Sequence, residues 1–158
     1  MIRLEDMSYM QRQSWLVVLA DGAVLVWFWQ KMTVGFSPVP IDYDMKAFGG
    51  IVIGLIILTI ILHAAIAAVF EIVSKQDKSE RDERDIEIER RGAFWGYRIL
   101  QIGLGVVIVG MLMGHVIGGD YQAPLQFLSP VQIIFSLIVA SYIADLVKHA
   151  VMIHGYGR

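Results

Sequence analysis

FGGIVIGLIILTIILHAAIAAVFEIVS, residues 48–74, is an apolar run with no proline in it, longer than the roughly 20 residues a helix needs to cross the hydrocarbon of a bilayer. Three more stretches have the same character, at about 14–36, 93–118 and 129–152, and none carries a proline in its interior. The only sizeable polar insert between them is the charged run Lys75–Arg91. The expected fold is therefore all-α: a polytopic membrane four-helix bundle forming a single domain over residues 1–158.

Composition agrees with that reading. The chain has 158 residues, 56% of them hydrophobic, and a mean hydropathy of +0.60, which leaves room for one bundle and for no independent soluble domain. A formal charge of −2 says little by itself about nucleic acid, but the basic residues lie beside acidic ones and form no patch, so no nucleic-acid partner is expected. Absence of cysteine removes disulfides and thiolate metal sites. The first span is longer than a signal peptide, carries Asp21 and lacks a small-residue cleavage pattern, so it is expected to be retained.

Lys and Arg are concentrated on one side of the spans. Arg3 and Arg12 lie before the first, Lys75, Lys78, Arg81, Arg84, Arg90 and Arg91 between the second and third, and Lys148 and Arg158 at the end, against only Lys31 and Lys46 on the other side. Short cytoplasmic loops are enriched in these residues, so both termini and the charged loop should be cytoplasmic. The opposite connections, Ser37–Gly49 and Gly119–Pro130, contain all four prolines with Asp42, Asp44 and Asp120, and read as turns outside the bilayer. Trp15, Trp95 and Tyr97 at the inner edge, with Trp27, Trp29, Tyr121 and Phe127 at the outer, fit interfacial belts.

Small residues predict where helices meet. Gly110, Gly114 and Gly118 repeat at four-residue spacing on the third span, Gly50 and Gly54 on the second, and Ser136, Ala140 and Ala144 on the fourth. Such positions let backbones approach closely in lipid. Spans two and three, joined by a short loop, are expected to be antiparallel neighbours packed through these glycines. A homodimer face is the alternative use of the same motif.

The charged loop is helical in character. Ser79 with Asp82 three residues on forms a capping-box pattern, and Glu80–Arg84 and Glu87–Arg91 place acid four residues before base. The third helix should start near Ser79 and extend into the cytoplasm by about three turns. Asp82, Glu83, Arg84, Asp85, Arg90 and Arg91 then form a candidate docking surface. A divalent-ion site on Asp82, Glu83, Asp85, Glu87 and Glu89 is disfavoured by the interleaved arginines.

Depth gives a further pattern. At roughly 1.5 Å per residue, Asp21, His63, Gln101 and Asp145 each fall about 20–25 Å below the external boundary, one from each span. Ionisable groups at such depth are costly and normally face the bundle interior. Asp21 has no charged neighbour within a turn, so His63 is its natural partner, with Thr59 on the same face as His63. Asp145 can pair locally with Lys148 and His149. The layer fits either a proton- or cation-linked site or a hydrogen-bonded register device. A haem held by His63 and His149 is disfavoured, because the two differ in depth by roughly 9 Å. His115 near the outer end of the third span and His154 in the tail carry no evident role.

Ser14–Gly22 (SWLVVLADG), Asp82–Arg91 (DERDIEIERR) followed by Tyr97, and Ala144–Lys148 (ADLVK) together resemble a group of small uncharacterised bacterial inner-membrane proteins with four spans and a D-E-R-D type cytoplasmic loop. The resemblance implies a bacterial inner membrane and brings no family activity, so no catalytic residue, cofactor or metal is expected. The leading expectation is a non-enzymatic protein in the lipid bilayer that acts by packing with itself or with a partner membrane protein. The alternative is a small proton- or cation-linked transporter or pore using Asp21, His63 and Asp145.

Overall fold

A computed structural model describes residues 9–34, 43–76, 82–116 and 129–157. They form four helices, α1 (Tyr9–Met32), α2 (Met45–Gln76), α3 (Glu83–Val116) and α4 (Pro130–Tyr156), with no strand among the described residues. All four are long and apolar enough to cross a membrane. Such a chain satisfies its backbone within each helix, as a segment without access to water requires.

The helix ends have local causes. Ser129 accepts from the Gln132 N–H while the Gln132 side chain accepts from the Ser129 N–H, and Pro130 occupies the first turn of α4, where no backbone donor is needed. At the start of α2, Asp44 accepts from the Ala47 N–H. α1 stops at Met32, and the Thr33 hydroxyl and N–H both turn back onto the Trp29 carbonyl. The expected start of α3 near Ser79 is corrected to Glu83. Asp82 is its cap, accepting at 2.8 Å from the Asp85 N–H and donating its own N–H to the Asp85 carboxylate. Ser79 and Glu80 lie outside the described residues.

The neighbour order is α2, α1, α4, α3. α3 lies along α4, α4 along α1, and α1 along α2. Spans two and three are therefore not the packed pair expected from the short loop between them. Three seams fix the directions. Gly92, Gly96 and Gly103 of α3 face Met152, Lys148 and Ala140 of α4, an antiparallel pairing. Phe28 of α1 stacks on Phe135 of α4 with ring centres 5.5 Å apart, and Trp29 packs on the same ring at 5.4 Å, so Trp29 is a packing residue as well as a residue near the span end. The Tyr43 hydroxyl donates to the Lys31 carbonyl, tying the start of α2 to the end of α1.

The buried face of α1 runs Gln11, Ser14, Val17, Asp21, Val24, Phe28 and Met32, steps of three and four residues that keep one stripe inward. Its second half joins Phe48, Leu55, Val131 and Phe135 in the main apolar core. Its first half is mostly polar. The protein thus has an aromatic, well-packed end where α2 and α4 begin, and a polar seam beyond it.

Candidate functional site

Asp21 sits where the apolar half of the α1 stripe gives way to the polar half, and it is only 2% exposed. α2 brings His63 to it, with Nε2 3.5 Å from Oδ2 of Asp21. α4 brings Asp145, and one ligand-type atom from each of the three residues lies within 4.8 Å of the others. Three helices therefore converge on one polar point. The second Asp21 oxygen, Oδ1, is buried and has no hydrogen-bond partner among the described residues.

The local helix geometry orients each partner. The His63 ring bonds through Nδ1 to the Thr59 carbonyl at 2.9 Å, and a carbonyl only accepts, so Nδ1 carries the proton. Nε2 is then left to face Asp21. One turn further along, the Thr59 hydroxyl donates to the Leu55 carbonyl at 2.9 Å and so has no proton left for the Tyr142 hydroxyl beside it. Tyr142 is the donor in that pair, which bridges α2 and α4. Asp145 is charge-balanced on its own helix, with Lys148 Nζ at 3.9 Å and His149 Nε2 at 3.6 Å.

The three groups lie at one end of a groove of about 530 Å³ between α2 and α4. Val52, Leu55, Ile56 and Ile60 line it from α2, and Ile134, Leu137 and Ile138 from α4. Thr59, Ser141 and Tyr142 complete the polar end. Thr59 was placed near His63 by its spacing. Tyr142 and Ser141 give no such signal, since a hydroxyl residue in an apolar span is ordinary until its partner helix is known.

Gln101, the fourth member of the expected layer, is elsewhere. It is exposed on α3 and donates to the Tyr97 hydroxyl at 3.0 Å, with α4 between α3 and α1. Matched depth fixes a level along the bundle and says nothing of the direction in which a side chain leaves its helix.

The small residues also divide. A side chain at Gly50 or Gly54 would meet nothing within 4 Å, so these glycines form an outward strip and make no seam within the described chain. Gly110 is buried, Gly114 lies within α3, and Gly118 is outside the described residues. Close approach occurs instead at Gly92, Gly96 and Gly103. A Cβ on Gly103 would stand 2.7 Å from Cβ of Ala140, and one on Gly96 would stand 3.1 Å from the Ala144 carbonyl oxygen. Ala140 and Ala144 thus line the α3–α4 seam. The four- and seven-residue spacing of the three α3 glycines was visible in the sequence.

The acidic and basic residues 82–91 do not stand free as an isolated extension. Ile88 packs on Gly155, and Arg84 reaches the Gly155 carbonyl at 3.5 Å, so the end of α4 runs beside this part of α3. Asp82 and Asp85 form the cap, Glu83 opens the helix, and Arg90 and Arg91 hold Glu87 at 3.0 and 2.8 Å.

Four long apolar helices and a polar cluster at the end of a groove define the class, an all-helical protein with the build of a multi-pass membrane protein. Compared with protein families, with curated proteins and with solved structures, the chain matches none.

Proposed function

We propose that this is a small proton- or cation-linked membrane transporter in which Asp21, His63 and Asp145 hold one exchangeable positive charge. The observation that carries the reading is the Asp21 carboxylate, buried, facing His63 with one oxygen and without a partner at the other. An unpaired charge at this depth is expensive. Asp145 has Lys148 and His149 beside it, whereas among the described residues the basic partner of Asp21 is His63. With Nδ1 protonated toward Thr59, a neutral His63 turns a lone pair toward a carboxylate oxygen. A second proton, making the imidazolium, relieves that opposition, and so does a cation bound beside the two residues at the polar end of the groove. Proton and cation then compete for one place.

The sign follows from the competition. Fewer protons mean tighter cation binding, so affinity rises with pH by at most tenfold per unit and each cation bound releases about one proton. Asp21→Asn keeps size and hydrogen bonding but cannot ionise. In reconstituted vesicles it should abolish cation-driven proton release and leave helix content unchanged, and absence of any flux in the wild type sinks the reading.

The Lys and Arg distribution supports both termini and the 82–91 segment being cytoplasmic, and the D-E-R-D resemblance supports a bacterial inner membrane. A second reading, assembly with another copy or a partner membrane protein, is favoured by one observation: Gly50 and Gly54 leave a smooth outward strip on α2, beside the exposed Ile53 and Ile57.

A further inference from the structure

We infer that the cation taken by this site is an amphipathic organic one, an ammonium head on a hydrocarbon tail, seated with its head at Asp21 and its tail along the groove between α2 and α4. The inference rests on the proposed proton–cation site and names its substrate class.

Charge sets the head. Around Asp21 stand His63 from α2, and Asp145 with Lys148, His149 and the Tyr142 hydroxyl from α4. Lys148 offsets Asp145, and with His63 neutral the cluster lacks one positive charge. A single monovalent head restores neutrality, and the Asp21 carboxylate, which lines the polar end of the groove with His63 and Asp145, supplies its counter-charge. Shape and polarity set the tail. The rest of the groove is walled by aliphatic side chains of α2 and α4, which offer a hydrated ion no oxygen ligand. About 530 Å³ lies within the roughly 300–1,000 Å³ of sites that hold drug-sized molecules, far more than a bare ion uses. α2 and α4 are separate neighbours of α1, so the groove runs along the helices, with the acidic groups at one end and the apolar walls leading away from them.

The test uses the purified full chain and a series of alkyltrimethylammonium ions from methyl to octyl, with Zn²⁺ and Mn²⁺ as inorganic cations. The quantity read is the saturable binding that Asp21→Asn removes, which discounts partitioning into lipid or detergent. Affinity should rise about fourfold per added methylene, the ratio that corresponds to about 0.8 kcal/mol per buried CH₂. Leu137→Trp, which fills the groove, should weaken the octyl compound at least tenfold. Leu104→Trp on the exposed face of α3 should not change it. Asp21-dependent binding of Zn²⁺ or Mn²⁺ with no gain along the alkyl series overturns the inference and leaves the proton–cation reading standing. No Asp21-dependent binding of any cation, together with no proton release, overturns both.

Discussion

Replacing Gly103 by alanine should destabilise the protein, while the same change at Gly54 should not. At Gly103 the new Cβ would stand 2.7 Å from Cβ of Ala140. Two carbons rest at about 3.5–4.0 Å, so α3 and α4 must separate locally by roughly 1 Å. Neither partner can turn aside, because a Cβ has no rotamer. Overpacking of this kind costs about 1–3 kcal/mol, and the better helix propensity of alanine returns about 1 kcal/mol, leaving a net loss of up to about 2 kcal/mol. At Gly54 nothing lies within 4 Å, so only the propensity gain operates, about 1 kcal/mol at most. The propensity gain is common to both variants, so they should differ by the overpacking cost alone, about 1–3 kcal/mol. Reversible unfolding in mixed micelles, followed by far-UV circular dichroism, measures each against the wild type. Ala140→Gly placed on Gly103→Ala removes the colliding atom and should recover most of the loss, which a double-mutant cycle reads directly. Equal stability of the two single variants, or no recovery in the double, would refute the α3–α4 seam.

Two other outcomes test separate parts of the fold. Tyr142→Phe removes the donor that bridges to Thr59, while Thr59 keeps its own bond to Leu55, so the cost should be about 0.5–1.5 kcal/mol, accompanied by faster amide exchange in α2 near Thr59. Unchanged stability and exchange would mean that the bridge contributes nothing. Gly50→Leu should not destabilise the monomer, because the site is open and helix propensity adds up to about 1 kcal/mol. If the α2 strip mediates assembly, this variant should lose crosslinked dimer in membranes, and an unaltered dimer yield removes the assembly reading from that strip.

Span number was legible because a continuous apolar run without proline has few alternatives in a chain this rich in hydrophobic residues. Asp21, His63 and Asp145 were legible as a level because rise per residue is fixed by helix geometry. Gln101 shows the limit of that arithmetic, since it reports height and is silent on azimuth. Glycine spacing has the same weakness. It marks a smooth face, but Gly50 and Gly54 look outward while Gly92, Gly96 and Gly103 look onto α4, and only the neighbour order separates them. That order does not follow connection length, because α3 is tied to α2 in sequence and rests on α4 in space. The start of α3 moved because Asp82 can bond Asp85 in the same way that Ser79 was expected to bond its own third neighbour.

Lys148 belongs to two structures at once. Its Cβ lies against Gly96 in the seam with α3, while its ammonium reaches 3.9 Å from Asp145 beside the groove. The brace on the far side of α4 and the electrical balance of the cluster are thus joined through one flexible stem. A sideways shift of α3 would be felt at Asp145 as a displaced counter-charge, so a helix that contributes no atom to the acidic cluster still has leverage over its charge balance.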